Sequence, residues 1–458
     1  MSSSPAEDQL FPLRLTPFEY YYWCDDRREY RTVFPIQLEL EGSLSRDAFT
    51  RALHLAWERH PLLRARVDGG VGRIPAWVLL DNPGLPLVWT DGESAGGEAA
   101  ASRMDLSQGP GLSVAVTAET QRAHVRFTFH HACCDAAGGL QFIEDLLVAY
   151  HGLVAGRPAA ELWRPLEPAR LRCRGYYGLT EAQLRPSLRD RWTILRTWYG
   201  LLRRQSAVVA AAPGSAGVAD RPLGEPRSDF ATGVLAADDV RRLRQVAHQR
   251  GATLNDLLLR DLFLTLRDWN RQQGQRERGP LRINMPTSLR GRSDRALPAA
   301  NVLAFTFPSR HAAECDDPVR LLESIRQETQ RIRQQRAGLY FIGGLAFASR
   351  LPGVVPWALR HQASFATAVF SNVGRIFSRT PLPRRDGRLV CGELTLRRLV
   401  GVPPLRPGTR AAVAVVEYGD ETTVNLLCDR RWFGPAQSAA LLDLYLGHLR
   451  TSWRPARS

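Results

Sequence analysis

The chain reads as a mixed α+β protein made of two units of the same kind, and three observations carry that reading. Alternating apolar runs and amphipathic segments interleave along both halves, rather than strands gathering in one half and helices in the other. A stretch rich in Ala, Gly and Pro, residues 206–227, separates the halves. The length of 458 residues suits two or three domains at roughly 100–200 residues each, and 44% apolar residues suffice for full cores. The expected division is 1–185, a linker or crossover at 186–229, and 230–458. There is no short-period repeat.

In the first half, residues 33–40 carry apolar side chains at 34, 36, 38 and 40 and predict a strand. Residues 47–60 predict an amphipathic helix that starts at Ser45 or Asp47 and is stopped by Pro61. Residues 76–80 read as a further strand. Residues 112–116 and 125–129 read as hairpin strands that deliver His130 and His131, and the periodic segment 140–153 follows as a helix. Residues 189–204 combine arginines with Trp192, Trp198 and Tyr199; this segment reads as a helix packed on the body, with a helix lying on a membrane surface as the alternative. In the second half, 238–250, 253–272, 317–335 and 435–453 read as helices. Residues 281–286, 302–307, 364–372, 393–400, 411–418 and 422–428 read as strands.

The formal net charge is +15, and all 61 basic residues are arginine. Without lysine, Schiff-base and lysine-nucleophile chemistry is excluded. The positive charge favours an acidic carrier protein, the phosphates of coenzyme A, nucleic acid or an anionic membrane, or is simply a basic surface. No nucleic-acid-binding motif is present, so no nucleic-acid partner is expected. Seven scattered cysteines without a C-x-x-C pair suggest neither a disulfide framework nor a zinc site, and no metal site is expected. No apolar run reaches the roughly 18 residues of a transmembrane helix, and the polar, acidic Met1–Asp8 does not resemble a secretory signal, so a cytoplasmic protein is expected.

The most informative stretch is His130-His131-Ala132-Cys133-Cys134-Asp135, followed by Gly138-Gly139. It falls where a strand passes through a tight loop into a helix. An imidazole there can face a cleft and accept a proton near neutral pH. A carboxylate four residues after the second His can pin the loop to an arginine. Two plainer readings stand beside this one: a hydrogen-bonded structural His, and Cys133 and Cys134 as small buried hydrophobes rather than a Cys-His nucleophile.

This segment resembles the His-His-x-x-x-Asp-Gly signature of the chloramphenicol acetyltransferase-like superfamily, which includes condensation domains, wax ester synthases, polyketide-associated acyltransferases and alcohol acetyltransferases. Supporting segments occur in the same order: Glu58-Arg59-His60-Pro61-Leu62-Leu63-Arg64, Thr253-Leu254-Asn255-Asp256, Met285-Pro286-Thr287-Ser288-Leu289-Arg290-Gly291-Arg292 followed by Asn301, and Ser371-Asn372-Val373-Gly374-Arg375.

The resemblance implies two α/β sandwich domains side by side, as a pseudo-dimer with a tunnel between them and His131 midway. A coenzyme A or phosphopantetheinyl carrier-protein thioester would enter from one face, and an alcohol or amine from the other. His131 would be the general base; no acyl-enzyme and no further cofactor are required. By the same resemblance Asp135 forms a bidentate pair with Arg290 across the interface, and His130 packs beside its neighbour. Asn301, Ser371 and Asn372 line the tunnel or steady the oxyanion. One departure is Ala136 where the family has Gly: if that position needs positive φ, alanine costs roughly 1 kcal/mol or more. Three functions follow as expectations. They are acyl transfer to an alcohol or amine, amide formation between carrier-bound groups, and ligand binding without chemistry. A peripheral membrane contact is a further expectation.

Overall fold

A computed structural model of the chain describes residues 10–69, 75–92, 104–211, 230–275, 278–361 and 364–452. Two seven-stranded mixed sheets dominate it. The first runs in the order Arg384–Arg385, Arg388–Cys391, Leu394–Gly401, Val33–Glu41, Arg122–His130, Leu112–Ala118, Leu87–Asp91. The second runs Leu303–Thr306, Leu281–Ser288, Ala368–Arg375, Ala411–Tyr418, Glu421–Cys428, Ala231–Leu235, with Ser309–Arg310 pairing alongside Leu281–Ser288.

The alternation in Val33–Glu41 sets its register. Phe34, Ile36, Leu38 and Leu40 are all buried, so a one-residue slip would expose the whole set. Each such side chain contributes about 1.5–3 kcal/mol when removed from water. The hairpin of Leu112–Ala118 with Arg122–His130 forms as its pattern predicts, and it ends on the two histidines. The helix Ala136–Ala155 then packs on Arg46–Glu58.

Three findings differ from the sequence-based division. Leu394–Gly401 pairs antiparallel with Val33–Glu41, placing Leu399 opposite Leu38. Residues 384–401 therefore join the first sheet although they lie within 230–458. Period-2 alternation foretells the strand but is blind to its partner. Second, the helices Pro17–Asp25, Gly338–Ala348 and Val354–His361 go unforeseen: the first two carry no clean apolar stripe, and the third is only eight residues long and contains Pro356. Third, residues 206–211 are irregular, while 212–229 of the expected crossover and Trp453 lie outside the described residues.

Candidate active site

Asp135 is the N-cap of the helix Ala136–Ala155, and its Oδ1 accepts a hydrogen bond from the Gly138 amide at 2.9 Å. A cap carboxylate is strongly favoured there because it satisfies an otherwise orphaned N–H. Its Oδ2 turns to the second half of the chain, where it accepts from the Val302 amide at 2.9 Å and from Arg290 Nη1 at 2.5 Å. Arg290 Nη2 donates instead to the Ala300 carbonyl at 2.9 Å. The expected bidentate pair is thus corrected to a single-nitrogen pair, because the helix cap already occupies the other carboxylate oxygen. Burial alone would raise the Asp135 pKa; the Arg290 guanidinium and the two backbone donors outweigh it and hold the carboxyl below its ordinary value.

Ala136 opens the helix and has no left-handed backbone. The expected penalty for alanine at this position is therefore absent. Glycine is needed two residues later. A Cβ on Gly138 would lie 3.0 Å from the Ala300 nitrogen and 3.1 Å from its oxygen, so only glycine lets this first turn sit against residues 299–301.

Other bonds fix the loop from both sides. The His131 amide donates to Thr32 O at 2.7 Å, and the His130 amide to Gly111 O at 2.9 Å. Asn301, 2% exposed, donates from Nδ2 to the carbonyls of His131 (2.5 Å) and Ala132 (3.0 Å). It braces the loop from behind. His130 is buried, with Nδ1 accepting from the Ala132 amide at 3.1 Å.

His60 supplies a further brace. Its Nδ1 accepts from the Ala299 amide at 2.9 Å, which leaves Nε2–H to meet Asp145 at 3.2 Å. The ring is buried and neutral, since desolvation lowers its pKa more than Asp145 raises it.

The His131 ring stacks on Tyr22, with centroids 4.2 Å apart and planes 9° apart, and Phe34 packs at 4.8 Å. Nε2 lies 3.3 Å from the Tyr22 hydroxyl. Nδ1 is buried and unpartnered among the described residues. Desolvation pulls the ring's pKa down to about 4, despite the opposing pull of Asp135. The imidazole is therefore neutral across the physiological range, the form that can accept a proton.

Beside the ring is a narrow cavity of about 40 Å³, room for a few waters. Elements of both halves wall it: Tyr21 and Tyr22 from Pro17–Asp25, Asn284 and Phe305 from the second sheet, Phe365, and Arg406. Arg406 forms a two-nitrogen ion pair with Asp25. Its Nη1 and the Asn284 Oδ1, like His131 Nδ1, are buried without a partner among the described residues, so three residues that line the cavity carry unpaired polar atoms.

Ser371 and Asn372 stand apart from this cavity. Val369 lines it, and Ser371 shares that face one step further along the strand; Asn372 points the opposite way. Asn372 is exposed and donates to Asn255 Oδ1 at 3.2 Å. The expectation that Asn372 lines the tunnel is corrected on that ground, and Asn301 is corrected to a brace. Cys133 and Cys134 are fully buried, and burial pushes both thiols well above their ordinary pKa; they pack rather than attack. Among the described residues no cluster of His, Cys, Asp and Glu could hold a metal ion.

Tyr22, Asp25 and Arg406 escaped the sequence reading. A usable signal for the first two was Thr16-Pro17-Phe18-Glu19, a capping box with Pro at the first helical position, both arms of which form.

Two mixed sheets joined by a His-His-x-x-x-Asp loop that one half carries and the other clamps define a fold of the condensation and acyltransferase type. The condensation-domain family model matches residues 26–295, and the chain belongs to that family. The uncharacterised proteins Rv2305 and MT2362 of two Mycobacterium tuberculosis strains are each 30% identical over 289 residues, 61% of this chain and 62% of theirs. The match thus spans less than two thirds of these relatives. Among solved structures, the first condensation domain of the calcium-dependent antibiotic synthetase, in complex with a substrate analogue, superposes with a TM-score of 0.71 at 17% identity, covering 100% of this chain and 98% of that one. Trichothecene 15-O-acetyltransferase from Fusarium sporotrichioides gives 0.72 at 13%, covering 99% and 97%. The starter condensation domain of rhizomide synthetase, in complex with C8-CoA and Leu-SNAC, gives 0.65 at 14%, covering 100% and 98%. At these identities the likeness concerns the fold.

Proposed function

We propose that the protein is an acyltransferase that moves an acyl group from a coenzyme A or carrier-protein thioester to an alcohol or amine. The observation that carries this reading is the neutral, desolvated His131, which lines a cavity walled by both halves of the chain. An acceptor O–H or N–H in the place now held by the Tyr22 hydroxyl would give its proton to Nε2 as it attacks the thioester carbonyl. The tetrahedral intermediate then expels the thiolate, which takes the proton back from the imidazolium. A positioned base contributes roughly 10²–10⁴-fold, and holding donor and acceptor in line contributes further. No nucleophilic side chain is invoked.

Family membership favours a second reading on the same site: amide formation between two carrier-bound groups. The two readings differ in the donor they accept. Free-thiol release from acyl-coenzyme A and acyl-carrier donors, with alcohol and amine acceptors, tests both. Acceptor-dependent release that His131→Ala abolishes is expected. Wild-type turnover in that variant would refute the base. Turnover confined to carrier-loaded pairs would favour the amide-forming reading.

A further inference from the structure

We infer that the helix Leu188–Arg203 and the ends of two neighbouring helices form a docking face for an anionic lipid surface. Twelve large apolar side chains of the described residues are exposed; Leu188, Trp192, Leu195, Tyr199 and Leu202 lie on this helix, and Phe347, Leu351 and Trp357 lie on the helix Gly338–Ala348 packed against it, on the next helix Val354–His361, or between those two. The first five recur at i, i+4, i+7, i+11 and i+14. At 100° per residue they form a stripe about 80° wide along the helix. Trp192 is 70% exposed and Leu188 78%, so the stripe faces outward.

The opposite side of the helix is seated on the body. Ile194 and Trp198 lie over Gly343 and Gly344 of the helix Gly338–Ala348, where a Cβ on Gly344 would fall 1.7 Å from the Trp198 indole nitrogen. Trp198 also stacks on Phe341 at 4.9 Å. The helix is thus anchored by one face and unpartnered on the other.

The charges around the stripe select its occupant. Arg189, Arg196 and Arg203 run along one flank and Arg191 along the other, all exposed. Asp190 is the sole acid of the helix, and it is engaged in the N-terminal capping box. A second copy of the chain would bring these arginines against their equivalents. The parts of the chain outside the described residues are built mainly of Ala, Gly, Pro, Ser and charged residues, too poor in large apolar side chains to cover eight of them. An interface of lipid headgroups satisfies both features. Trp and Tyr rings prefer the headgroup level, and arginine stems lie over apolar surface while their guanidinium groups reach phosphate. No helix among the described residues is long and apolar enough to cross a membrane, so the contact is one of lying on the surface.

The face leads directly inward. Phe365 and Phe305, which wall the His131 cavity, contact Trp198 and Phe341 respectively. These aromatic contacts link the helix that carries the stripe to the cavity wall.

The test is co-sedimentation of the full chain with phosphatidylcholine vesicles and with vesicles that also contain phosphatidylglycerol. Size-exclusion chromatography is run at the same protein concentration. Binding to the phosphatidylglycerol vesicles, weakened by salt, is expected. Exchanging Arg189, Arg196 and Arg203 for Gln should weaken it on the order of 100-fold, from about 5-fold per arginine. Trp192→Ser with Leu195→Ser and Tyr199→Ser should abolish it, while both variants keep the wild-type circular dichroism and melting profile. Equal binding by either folded variant, no binding at low salt, or a dimer that the Ser substitutions dissolve would each overturn the proposal.

Discussion

Arg290→Ala should destabilise the protein through the charge it abandons rather than through the contact it removes. In the wild type, Asp135 is 2% exposed, its Oδ2 receives both Arg290 and the Val302 amide, and the Arg290 side chain is 20% exposed. Removing one partner of a buried pair typically costs about 3–5 kcal/mol. Asp135 keeps two backbone donors, so the lower end, ~3 kcal/mol, applies here. Asp135→Asn removes the charge itself, and in that background Arg290→Ala should cost only ~1 kcal/mol, leaving a coupling of roughly 2 kcal/mol.

The pH dependence gives a second handle. The Asp135 pKa is held below its ordinary value in the wild type, so its contribution is present at neutral pH and fades as pH falls through that depressed value. Without Arg290, burial raises the pKa, and the deficit of the variant should shrink as pH falls and the carboxyl protonates. Urea unfolding of the four proteins of the cycle, at pH 7 and at mildly acidic pH, measures both effects. Additive losses, or a deficit independent of pH, would refute the view that the buried carboxylate is what Arg290 stabilises.

Other outcomes follow from the same geometry. With His131 near pKa 4, kcat/KM for thioester turnover should stay level down to about pH 5 and fall below it; an acid limb centred at pH 6–7 would contradict a desolvated base. The same depressed pKa links to stability: it is fully expressed above pH 6.5 and declines by roughly 3 kcal/mol as pH falls toward 4, which His131→Phe should flatten in acid-unfolding curves. Iodoacetamide on the native protein should label the exposed Cys173 and spare Cys133 and Cys134, with turnover retained; loss of activity in step with labelling of Cys133 would restore the thiol to the chemistry. His60→Ala strands the Ala299 amide and one face of Asp145, and it should cost about 2–3 kcal/mol by thermal melting, where a loss under 1 kcal/mol would remove His60 as a brace.

What could be read from the sequence was whatever is local or marked by charge. The alternation at 33–40 gave the correct faces, and the alternating run before His130, the Gly138-Gly139 pair and the periodic segment 140–153 gave the strand–loop–helix passage, though the helix begins at Ala136, so both glycines fall inside it. Distant contacts were harder. Asp25 and Arg406 are 381 residues apart, and nothing in either segment names the other. The helix Gly338–Ala348 was hidden for a different reason: Gly343 and Gly344 weaken helix propensity by about 1 kcal/mol each, yet close packing against Ile194 and Trp198 requires them. Asn301 was expected to line the tunnel or steady an oxyanion, yet its Nδ2 braces the His131 loop from behind, because sequence order cannot show whether an amide faces a cavity or the back of a loop.

The bonds that hold His131 also restrict how its cavity can widen. The first half contributes Asp135 and His60; the second contributes Arg290, Ala299, Asn301 and Val302, and the segment 299–302 is tied to the loop through backbone and side chain alike. Displacing that segment would break several buried hydrogen bonds together and release the imidazole from its position. A space of about 40 Å³ does not hold an acyl thioester. For the proposed acyl transfer, a thioester would have to enter at the facing wall, where Phe305, Phe307 and Phe365 carry no polar atom to strand when they change rotamer. The wall that positions the base is polar and cross-braced, and the wall that must yield is aromatic. On the proposed acyl transfer, that division would keep the site rigid at the base and deformable where the acyl chain passes.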